Sequence, residues 1–308
     1  MTPEHTMCIN HAYKGESNLN IKKYAICEAP ICVGSPTQGT ENAFKHLKKN
    51  GLEALFKSRA DFIPMQGELT APALLKDPNL NEIETVMLVN RKLFDTLRQE
   101  FEKGSFPITI GGDHSIAIST IAALSESVGT DNTAVVYVDG HPDINTEKTT
   151  LSGNIHGMPL AVSMGLCTDK LNIGSRKVHL KGENTYIVGA RSIDDAEYKI
   201  IEEQNVTMRT KDDVDRIGYK SITKDIAERF KGKAVHICFD VDSIDGKEFP
   251  STGYVMPNGL SYETVRNIIS DLLKSCDVRS FECVEYNPSL DKNGSDLNKL
   301  LDIFRLFK

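Results

Sequence analysis

Several features that mark common classes of protein are missing from this sequence. It has no run of about 18 apolar residues, the minimum for a helix that crosses a membrane. Its net charge of −7 argues against nucleic acid or an anionic membrane surface as the main partner. The first residues, 1–5, lack the basic and then apolar layout of a secretory signal. We therefore expect a protein that partners neither nucleic acid nor a membrane.

Cysteine and glycine patterns disfavour further classes. The seven cysteines are scattered, odd in number and without a C-x-x-C pair, which favours reduced thiols in a cytoplasmic location over a disulfide framework. Neither the G-x-G-x-x-G fingerprint of dinucleotide-binding proteins nor the G-x-x-x-x-G-K-[ST] phosphate loop is present. A dinucleotide-dependent dehydrogenase and a P-loop enzyme are therefore poor explanations of this chain.

Short apolar segments alternate with longer amphipathic ones along the 308 residues, and no linker separates them. The apolar segments predict strands at 24–33, 107–110, 133–138, 185–188, 235–239 and 278–284. Helical spacing of apolar residues predicts helices at 83–101, 219–230 and 262–274, and one from 295 to the C-terminus. This alternation predicts one α/β domain over residues 1–308, with a mainly parallel sheet covered on both faces.

The segment Asp139-Gly-His141-Pro-Asp143 follows directly after the apolar run 134–138. In an extended backbone, alternate residues point to the same side, so two carboxylates and one imidazole would converge on one point. Taken alone, a polar turn is an equally good interpretation of this segment.

Two more predicted strand ends offer similar side chains. Asp240 and Asp242 follow the apolar run 234–239. Carboxylates so close together repel each other and resist burial unless a cation compensates them. His114 follows the strand at 107–110, although a lone histidine in such a turn is more often not a ligand. Ligands of open α/β sheets bind beyond the carboxyl ends of the strands, which is where all of these residues fall.

Together the strand ends supply four carboxylates and two imidazoles without a thiolate: His114, Asp139, His141, Asp143, Asp240 and Asp242. Two divalent ions with bridging aspartates would satisfy this set. Hard oxygen ligands with one imidazole per ion favour Mn²⁺ over Zn²⁺. Two such ions about 4 Å apart can hold a bridging hydroxide nucleophile at neutral pH. We therefore predict a site for two Mn²⁺ ions per subunit.

Five ordered motifs resemble those of the arginase (ureohydrolase) family. They lie at 111–115, 139–145, 152–159, 239–242 and 285–288. The resemblance implies a three-layer αβα fold and a binuclear manganese site in which all six ligand positions are filled. It also implies a homo-oligomer, since family members are usually trimers or hexamers.

Within this family, the chain is similar to arginases proper. In that subfamily the positions of Asn145, Thr150 and Ser152 hold the α-carboxylate of the substrate, and the position of Asp194 meets its α-amino group. Hydroxyl and amide donors suit a carboxylate, and an acid suits an ammonium group. Without the motif match, ordinary loop polarity would explain the first three residues. The implied reaction is hydrolysis of L-arginine to L-ornithine and urea.

The resemblance also implies catalytic roles. The bridging hydroxide would attack the guanidinium carbon, and the two ions would stabilise the tetrahedral intermediate. Asp143 would pass a proton to the departing amine, His156 would carry protons to solvent or to that amine, and Glu285 would pair with the guanidinium group. The alternatives are another ureohydrolase, acting on agmatine, guanidinobutyrate or formiminoglutamate, and a non-catalytic binding protein related to arginases.

Three positions depart from the family pattern. Gly140 stands where the family usually has alanine, which is a mild change by size. Ser192 replaces an acid near the amino-group end of the substrate site. Tyr254 occupies a position that is commonly threonine, and its bulk could narrow the pocket. Substrate recognition is therefore less firmly predicted than metal binding.

Overall fold

A computed structural model describes residues 23–67, 69, 79–174 and 179–308. Residues 1–5, whose sequence does not resemble a secretory signal, lie outside the described residues, as does part of the predicted domain 1–308. The described strands are β1 (Tyr24–Ala29), β2 (Ala60–Ile63), β3 (Phe106–Gly111), β4 (Thr133–Val138), β5 (Thr185–Ala190), β6 (Thr207–Thr210), β7 (Ala234–Asp240) and β8 (Asp277–Val284). They form one eight-stranded sheet in the order β2-β1-β3-β8-β7-β4-β5-β6. Every neighbouring pair is parallel, as predicted.

The α-helices of the described chain are α1 (Ala43–Leu47), α2 (Glu53–Phe56), α3 (Ile83–Lys103), α4 (Ala117–Val128), α5 (Pro159–Ser163), α6 (Asp195–Glu203), α7 (Lys211–Ile217), α8 (Tyr219–Arg229), α9 (Tyr262–Ser275) and α10 (Ser295–Phe304). All four predicted helices are therefore present, as α3, α8, α9 and α10. None of the described helices has both the length and the apolar character that a membrane crossing requires.

Strand residues alternate between the two faces of the sheet, and helices cover both faces. In β4, Ala134, Val136 and Val138 belong to a hydrophobic cluster that also contains residues of α8, α9 and α10. Val135 and Tyr137 belong instead to a cluster that contains residues of α4 and α5. Because both sets of side chains are buried, the strands read as continuous apolar runs. The three-layer αβα arrangement is confirmed.

The structure differs from the predicted strands mainly at the sheet edges and at one strand end. The strand predicted at 24–33 stops at Ala29, because Pro30 cannot donate a ladder hydrogen bond. Sequence patterns miss β2 and β6, the two edge strands. Each has only four residues and most of them are incompletely buried, so their apolar signal is weak.

The topology brings the predicted motifs together at one edge of the sheet. The central strands run β3-β8-β7-β4, so the segments that follow them are neighbours. Because all strands are parallel, these segments leave the sheet on the same side. The motifs that follow β3, β4, β7 and β8 are therefore close in space although they are far apart in sequence.

Candidate metal centre

Three strand ends turn in the same way. In each, an aspartate accepts a hydrogen bond from the backbone N–H two residues later, which closes a tight turn. The pairs are Ser115 N to Asp113 Oδ1 at 3.0 Å, His141 N to Asp139 Oδ1 at 2.7 Å, and Asp242 N to Asp240 Oδ1 at 2.7 Å. In Asp139 and Asp240 one carboxylate oxygen is thus used by the turn, and the other points to a neighbouring strand end.

The first cluster of predicted ligands surrounds the ring of His114. Its Nδ1 atom lies 2.9 Å from Asp139 Oδ2, 3.1 Å from Asp143 Oδ2 and 3.3 Å from Asp240 Oδ2. All four residues are buried. Three strand ends therefore deliver one imidazole and three carboxylates to a single point.

The second cluster lies beside the first. Nδ1 of His141 is 3.1 Å from Asp242 Oδ2 and 3.6 Å from Asp139 Oδ1. Ligand atoms of His141, Asp139 and Asp242 all fall within 4.8 Å of one another, and so do those of His114, Asp139 and Asp240. The two groups share Asp139, so they form adjoining candidate sites bridged by one carboxylate. The structure thus brings all six predicted metal ligands together.

A divalent cation fits the unpaired atoms and the charge of this centre. Among the described residues, the buried atoms His114 Nδ1 and Asp139 Oδ2 have no partner with hydrogen-bond geometry, although they lie 2.9 Å apart, which is uncommon for polar atoms in a protein interior. Burial raises the pKa of Asp240 well above its ordinary value, and the carboxylates of Asp242 and Asp139 raise it further. A cation placed among these groups would reverse that shift and stabilise the ionised carboxylates.

The backbone reason given for the convergence of Asp139, His141 and Asp143 is wrong. β4 ends at Val138, and Asp143 has φ +49°, a left-handed conformation. A turn, rather than an extended strand, brings these side chains together. Glu285, which follows β8, also has a positive φ, +63°. Such conformations cost about 1–3 kcal/mol each and cluster at functional sites.

Glu285 and His156 adjoin the first cluster. Glu285 Oε1 accepts a hydrogen bond from the backbone N–H of His114 at 3.0 Å and lies 3.3 Å from His156 Nδ1. Burial opposes the charged form of the His156 imidazole, but the Glu285 carboxylate outweighs it and raises the pKa of His156. His156 is partly exposed, so it links the buried centre with the surface.

Asn145 and Asp194, predicted to bind the α-carboxylate and the α-amino group of an amino acid, contact each other. Asn145 Nδ2 donates to Asp194 Oδ2 at 2.9 Å, and Asn145 Oδ1 accepts from the hydroxyl of Thr149 at 2.8 Å. The buried carboxylate of Glu197 accepts from Ile144 N at 3.1 Å and from Asp194 N at 3.0 Å. Glu197 therefore fixes the segment that follows the predicted ligand Asp143 to the start of α6.

The hydroxyl groups of Thr150 and Ser152 lie on the same loop as Asn145. Thr150 Oγ1 accepts a hydrogen bond from Gly153 N at 3.0 Å, and Ser152 Oγ accepts one from Asn154 N at 3.2 Å. Each hydroxyl acts as an acceptor in these bonds, so its own proton remains available to a further acceptor.

Several buried polar residues that the sequence patterns do not predict lie within the sheet, next to His114 of the candidate metal centre. Glu282, in the middle of β8, lies 3.4 Å from His114 Nε2 and 3.4 Å from His236 Nε2 of β7. All three residues are fully buried. A charged residue within a buried strand is rare, and that signal could have found Glu282, although Glu28 of β1 carries it too.

The departures from the family pattern also lie at this centre. A Cβ atom at Gly140 would overlap Nη1 of Arg191 and would lie 2.9 Å from Asp242 Oδ1. Tyr254 is half-exposed, and its ring meets the His141 ring edge-on with centroids 5.3 Å apart. Ser192 is partly buried, and its N–H donates to Gly140 O at 3.1 Å. All three departures adjoin the second cluster.

Comparisons with known proteins identify relatives of this chain. Residues 22–300 match the profile of the Arginase family. The chain is 31% identical over 310 residues to an arginase of Plasmodium berghei, with 91% of this chain and 87% of that protein covered. It is 36% identical over 231 residues to an arginase of Bacillus subtilis, with 73% of this chain and 77% of that protein covered.

Solved structures show the same fold. The crystal structure of Entamoeba histolytica arginase in complex with L-ornithine has a TM-score of 0.85 at 30% identity and covers 93% of this chain and 98% of that chain. The native arginase of Bacillus caldovelox has a TM-score of 0.87 at 28% identity, with the same coverage. A parallel αβα fold with clustered imidazoles and carboxylates at one edge, in a chain with such relatives, defines a ureohydrolase of a metal-dependent type. The chain belongs to the arginase family, and it is a hydrolase that acts on a guanidino C–N bond.

Proposed function

We propose that this protein is a Mn²⁺-dependent arginase, which hydrolyses L-arginine to L-ornithine and urea. The observation that carries the proposal is the contact between Asn145 and Asp194, whose side chains are joined by a 2.9 Å hydrogen bond. The α-carboxylate and α-ammonium groups of an amino acid share one carbon atom. Their receptors must therefore be neighbours, with an amide donor beside an acid. Agmatine lacks the carboxylate, so it offers no acceptor to the second N–H of the Asn145 amide.

The loop hydroxyls support recognition of the α-carboxylate. Thr150 and Ser152 each accept a backbone hydrogen bond, and each retains one O–H donor for a ligand. Neutral donors stabilise a carboxylate without binding inorganic anions as strongly as a lysine or arginine would. The solved Entamoeba histolytica arginase contains L-ornithine, the corresponding α-amino acid product.

The guanidinium group would be received at the other end of the site by Glu285. This carboxylate is buried beside His114 and His156. A planar cation that donates several hydrogen bonds suits a carboxylate held in this way. The substrate would thus extend from Asp194, at the surface, to the metal centre, which lies at the carboxyl edge of the sheet.

Two Mn²⁺ ions would be held by His114, Asp139, His141, Asp143, Asp240 and Asp242, with Asp139 shared between them. When bound, such ions activate a water molecule at neutral pH and stabilise negative charge that develops on the reacting centre. Oxygen donors dominate this set, and a single imidazole serves each candidate site, which favours Mn²⁺ over Zn²⁺.

The residues beside the ligands would move the protons. Asp143 would take a proton from the attacking water and deliver it to the departing amine nitrogen. His156 would exchange protons with solvent, since it is partly exposed and hydrogen bonded to Glu285. The second proton of that water would pass through His156 to the amine, so that urea leaves with a carbonyl oxygen and ornithine with an ammonium group, and both side chains regain their starting protonation.

A comparison of guanidine substrates tests the proposal. Urea release would be measured with L-arginine, agmatine and guanidinobutyrate, together with the manganese content of the purified protein. The Ser152→Ala variant should raise KM for arginine about 10-fold, the value of a lost hydrogen bond to a charged group, and leave agmatine kinetics unchanged. Preference for agmatine in the wild-type protein would indicate the rival ureohydrolase function.

An Asp143→Ala variant, together with the wild-type protein, distinguishes a metal-dependent enzyme from a non-catalytic binding protein. It should lose manganese and urea release together. Full activity without bound metal would overturn the proposed mechanism, and a wild-type protein that neither binds manganese nor releases urea would indicate a non-catalytic relative. A cytoplasmic location, a single catalytic domain over 1–308 and a trimeric or hexameric assembly stay predictions. Light scattering of the full chain measures the last of these.

A further inference from the structure

Tyr137 places a hydroxyl group in the apolar core beneath the metal centre. It lies in β4, is fully buried and packs with Val135 in the cluster between the sheet and helices α4 and α5. A buried tyrosine hydroxyl needs a hydrogen-bond partner. Here the hydroxyl donates to Asp143 Oδ2 at a distance of 3.0 Å.

The same tyrosine contacts a second predicted ligand. Its ring stacks on the His114 imidazole, with centroids 4.5 Å apart and an interplanar angle of 9°. His114 Nδ1 is 3.1 Å from Asp143 Oδ2, the oxygen that accepts the tyrosine hydroxyl. One side chain therefore fixes both the plane of an imidazole that follows β3 and the carboxylate of a residue that follows β4.

Asp143 needs such support because the backbone does not hold its side chain. The other carboxylates of the centre accept backbone N–H groups: Asp139 from His141, Asp240 from Asp242, and Asp242 from Gly140. Within the described chain, the hydrogen bond to the Asp143 carboxylate comes from Tyr137. Tyr137 thus takes the place that a backbone amide has at the other three aspartates.

We propose that Tyr137 is a positioning residue for the metal centre, which orients the Asp143 carboxylate through its hydroxyl and the His114 ring through stacking. This inference rests on the proposed metal-dependent function. The oxygen that the hydroxyl fixes, Asp143 Oδ2, is the one that faces His114 Nδ1. Partners of this kind beyond the ligands contribute about 10- to 100-fold to metal affinity or activity.

Tyr137→Phe tests the proposal because it keeps the ring and removes only the oxygen atom. Titration of metal-free protein with MnCl₂ in a calorimeter should show affinity weakened about 10- to 100-fold, with kcat for arginine reduced and KM little changed. The matched control is Tyr186→Phe. Tyr186 lies in the adjacent strand β5, is fully buried, and donates to Asp225 Oδ2 at 2.8 Å on the opposite face of the sheet.

Both variants lose one phenol–carboxylate hydrogen bond, so a merely structural role predicts similar losses of Tm and no difference in Mn²⁺ affinity. Wild-type Mn²⁺ affinity and kcat in Tyr137→Phe would overturn the inference while leaving the proposed function intact. Failure of the wild-type protein to bind manganese would overturn both. If Tyr137→Phe does not fold, the ¹³Cζ resonances of the tyrosines in the wild-type protein provide a second test, with Cd²⁺ added in place of Mn²⁺. Binding of Cd²⁺ should shift the Tyr137 resonance. An unchanged spectrum would contradict the proposal.

Discussion

The guanidinium group of Arg191 fills the space that a side chain at Gly140 would occupy. Arg191 Nη2 donates to the backbone oxygen of Asp242 at 2.8 Å and to that of Met256 at 3.3 Å, and Nε donates to Pro257 O at 3.2 Å. Arg191 therefore joins a predicted metal ligand to the loop that carries Tyr254. The absence of a side chain at Gly140 leaves room for this contact. The change from the alanine that is usual in the family therefore matters more than the small difference in size suggests.

We expect Gly140→Ala to destabilise the protein and weaken metal binding. The new methyl group must displace Arg191 or Asp242, and overpacking of this kind costs about 1–3 kcal/mol. Urea unfolding and Mn²⁺ titration measure the two effects. Gly157→Ala is the control, since a Cβ atom there would meet no atom of the described residues within 4 Å. Equal stability of the two variants would show that Arg191 moves aside freely.

Thr149 should affect binding of the α-carboxylate through Asn145. Its hydroxyl accepts from Thr146 N at 2.8 Å and donates to Asn145 Oδ1, which turns the amide nitrogen of Asn145 towards Asp194. Thr149→Val removes this restraint while keeping the side-chain shape. We expect KM for arginine to rise about 2- to 10-fold, the value of one neutral hydrogen bond, with kcat unchanged.

The conservative variant Thr149→Ser provides the rescue, because it retains the hydroxyl. Steady-state kinetics of both variants with arginine and agmatine distinguish the two roles of the loop. An equal loss with both substrates would mean that Thr149 supports the loop as a whole rather than the carboxylate receptor.

Asp240→Asn should make the metal-free protein more stable and abolish high-affinity Mn²⁺ binding. Burial and the nearby carboxylates raise the pKa of Asp240, so its charged form is unfavourable in the folded state. An amide oxygen can still accept the Asp242 N–H that closes the turn. The expected gain in Tm is a few degrees, since 1 kcal/mol shifts Tm by about 2–4 °C in domains of about 150–250 residues and by somewhat less in a longer chain.

Asp245→Asn should have the opposite effect on stability. Asp245 accepts backbone N–H groups with both oxygens, from Lys247 at 2.9 Å and Gly259 at 3.0 Å, and an amide can replace only one of them. Calorimetry of both variants without metal gives the comparison. A lower Tm for Asp240→Asn than for the wild-type protein would show that charge repulsion does not limit stability at this centre.

Glu197 predicts a pH dependence of stability. Burial raises the pKa of Glu197 from 4.5 to about 7. The folded state then binds a proton at Glu197 more tightly than the unfolded state, so the contribution of this group to stability is fully present below pH 4.5 and is lost as pH rises from 4.5 to about 7. We expect this one group to contribute a loss of about 1–3 kcal/mol over that window.

Urea unfolding of metal-free wild-type protein and of Glu197→Gln, at pH 5 and pH 8, isolates this contribution. The glutamine variant carries no titratable group at this position, so its stability should change less between the two pH values. Parallel pH profiles for the two proteins would contradict the assignment of a raised pKa to Glu197.

Much of the central sheet could be predicted because its strands are buried on both faces. Six strands appear in the sequence as short apolar runs between amphipathic helices, and all six are present. The edge strands β2 and β6 carry little of that signal. The order in which the strands pair could not be predicted from the sequence either. The strand β8, the last in sequence, lies between β3 and β7, and this position depends on long-range contacts alone.

For the candidate site, the residues could be predicted but their geometry could not. Residue types and spacing were enough to select the six proposed ligands, which the structure brings together. The geometry that gathers them was not predictable, because it depends on the left-handed backbone of Asp143 and on turns closed by aspartate side chains. The contacts of Tyr137 could not be predicted, because a tyrosine in an otherwise apolar strand usually serves as an ordinary core residue.

The closed turns at Asp139 and Asp240 have a consequence for how an ion would enter. Each carboxylate is anchored by its own backbone before any ligand arrives. The conformational entropy of gathering these donors is therefore lost during folding rather than during chelation. Manganese should associate quickly with a rigid receptor, and its dissociation rate should govern how long the enzyme stays loaded.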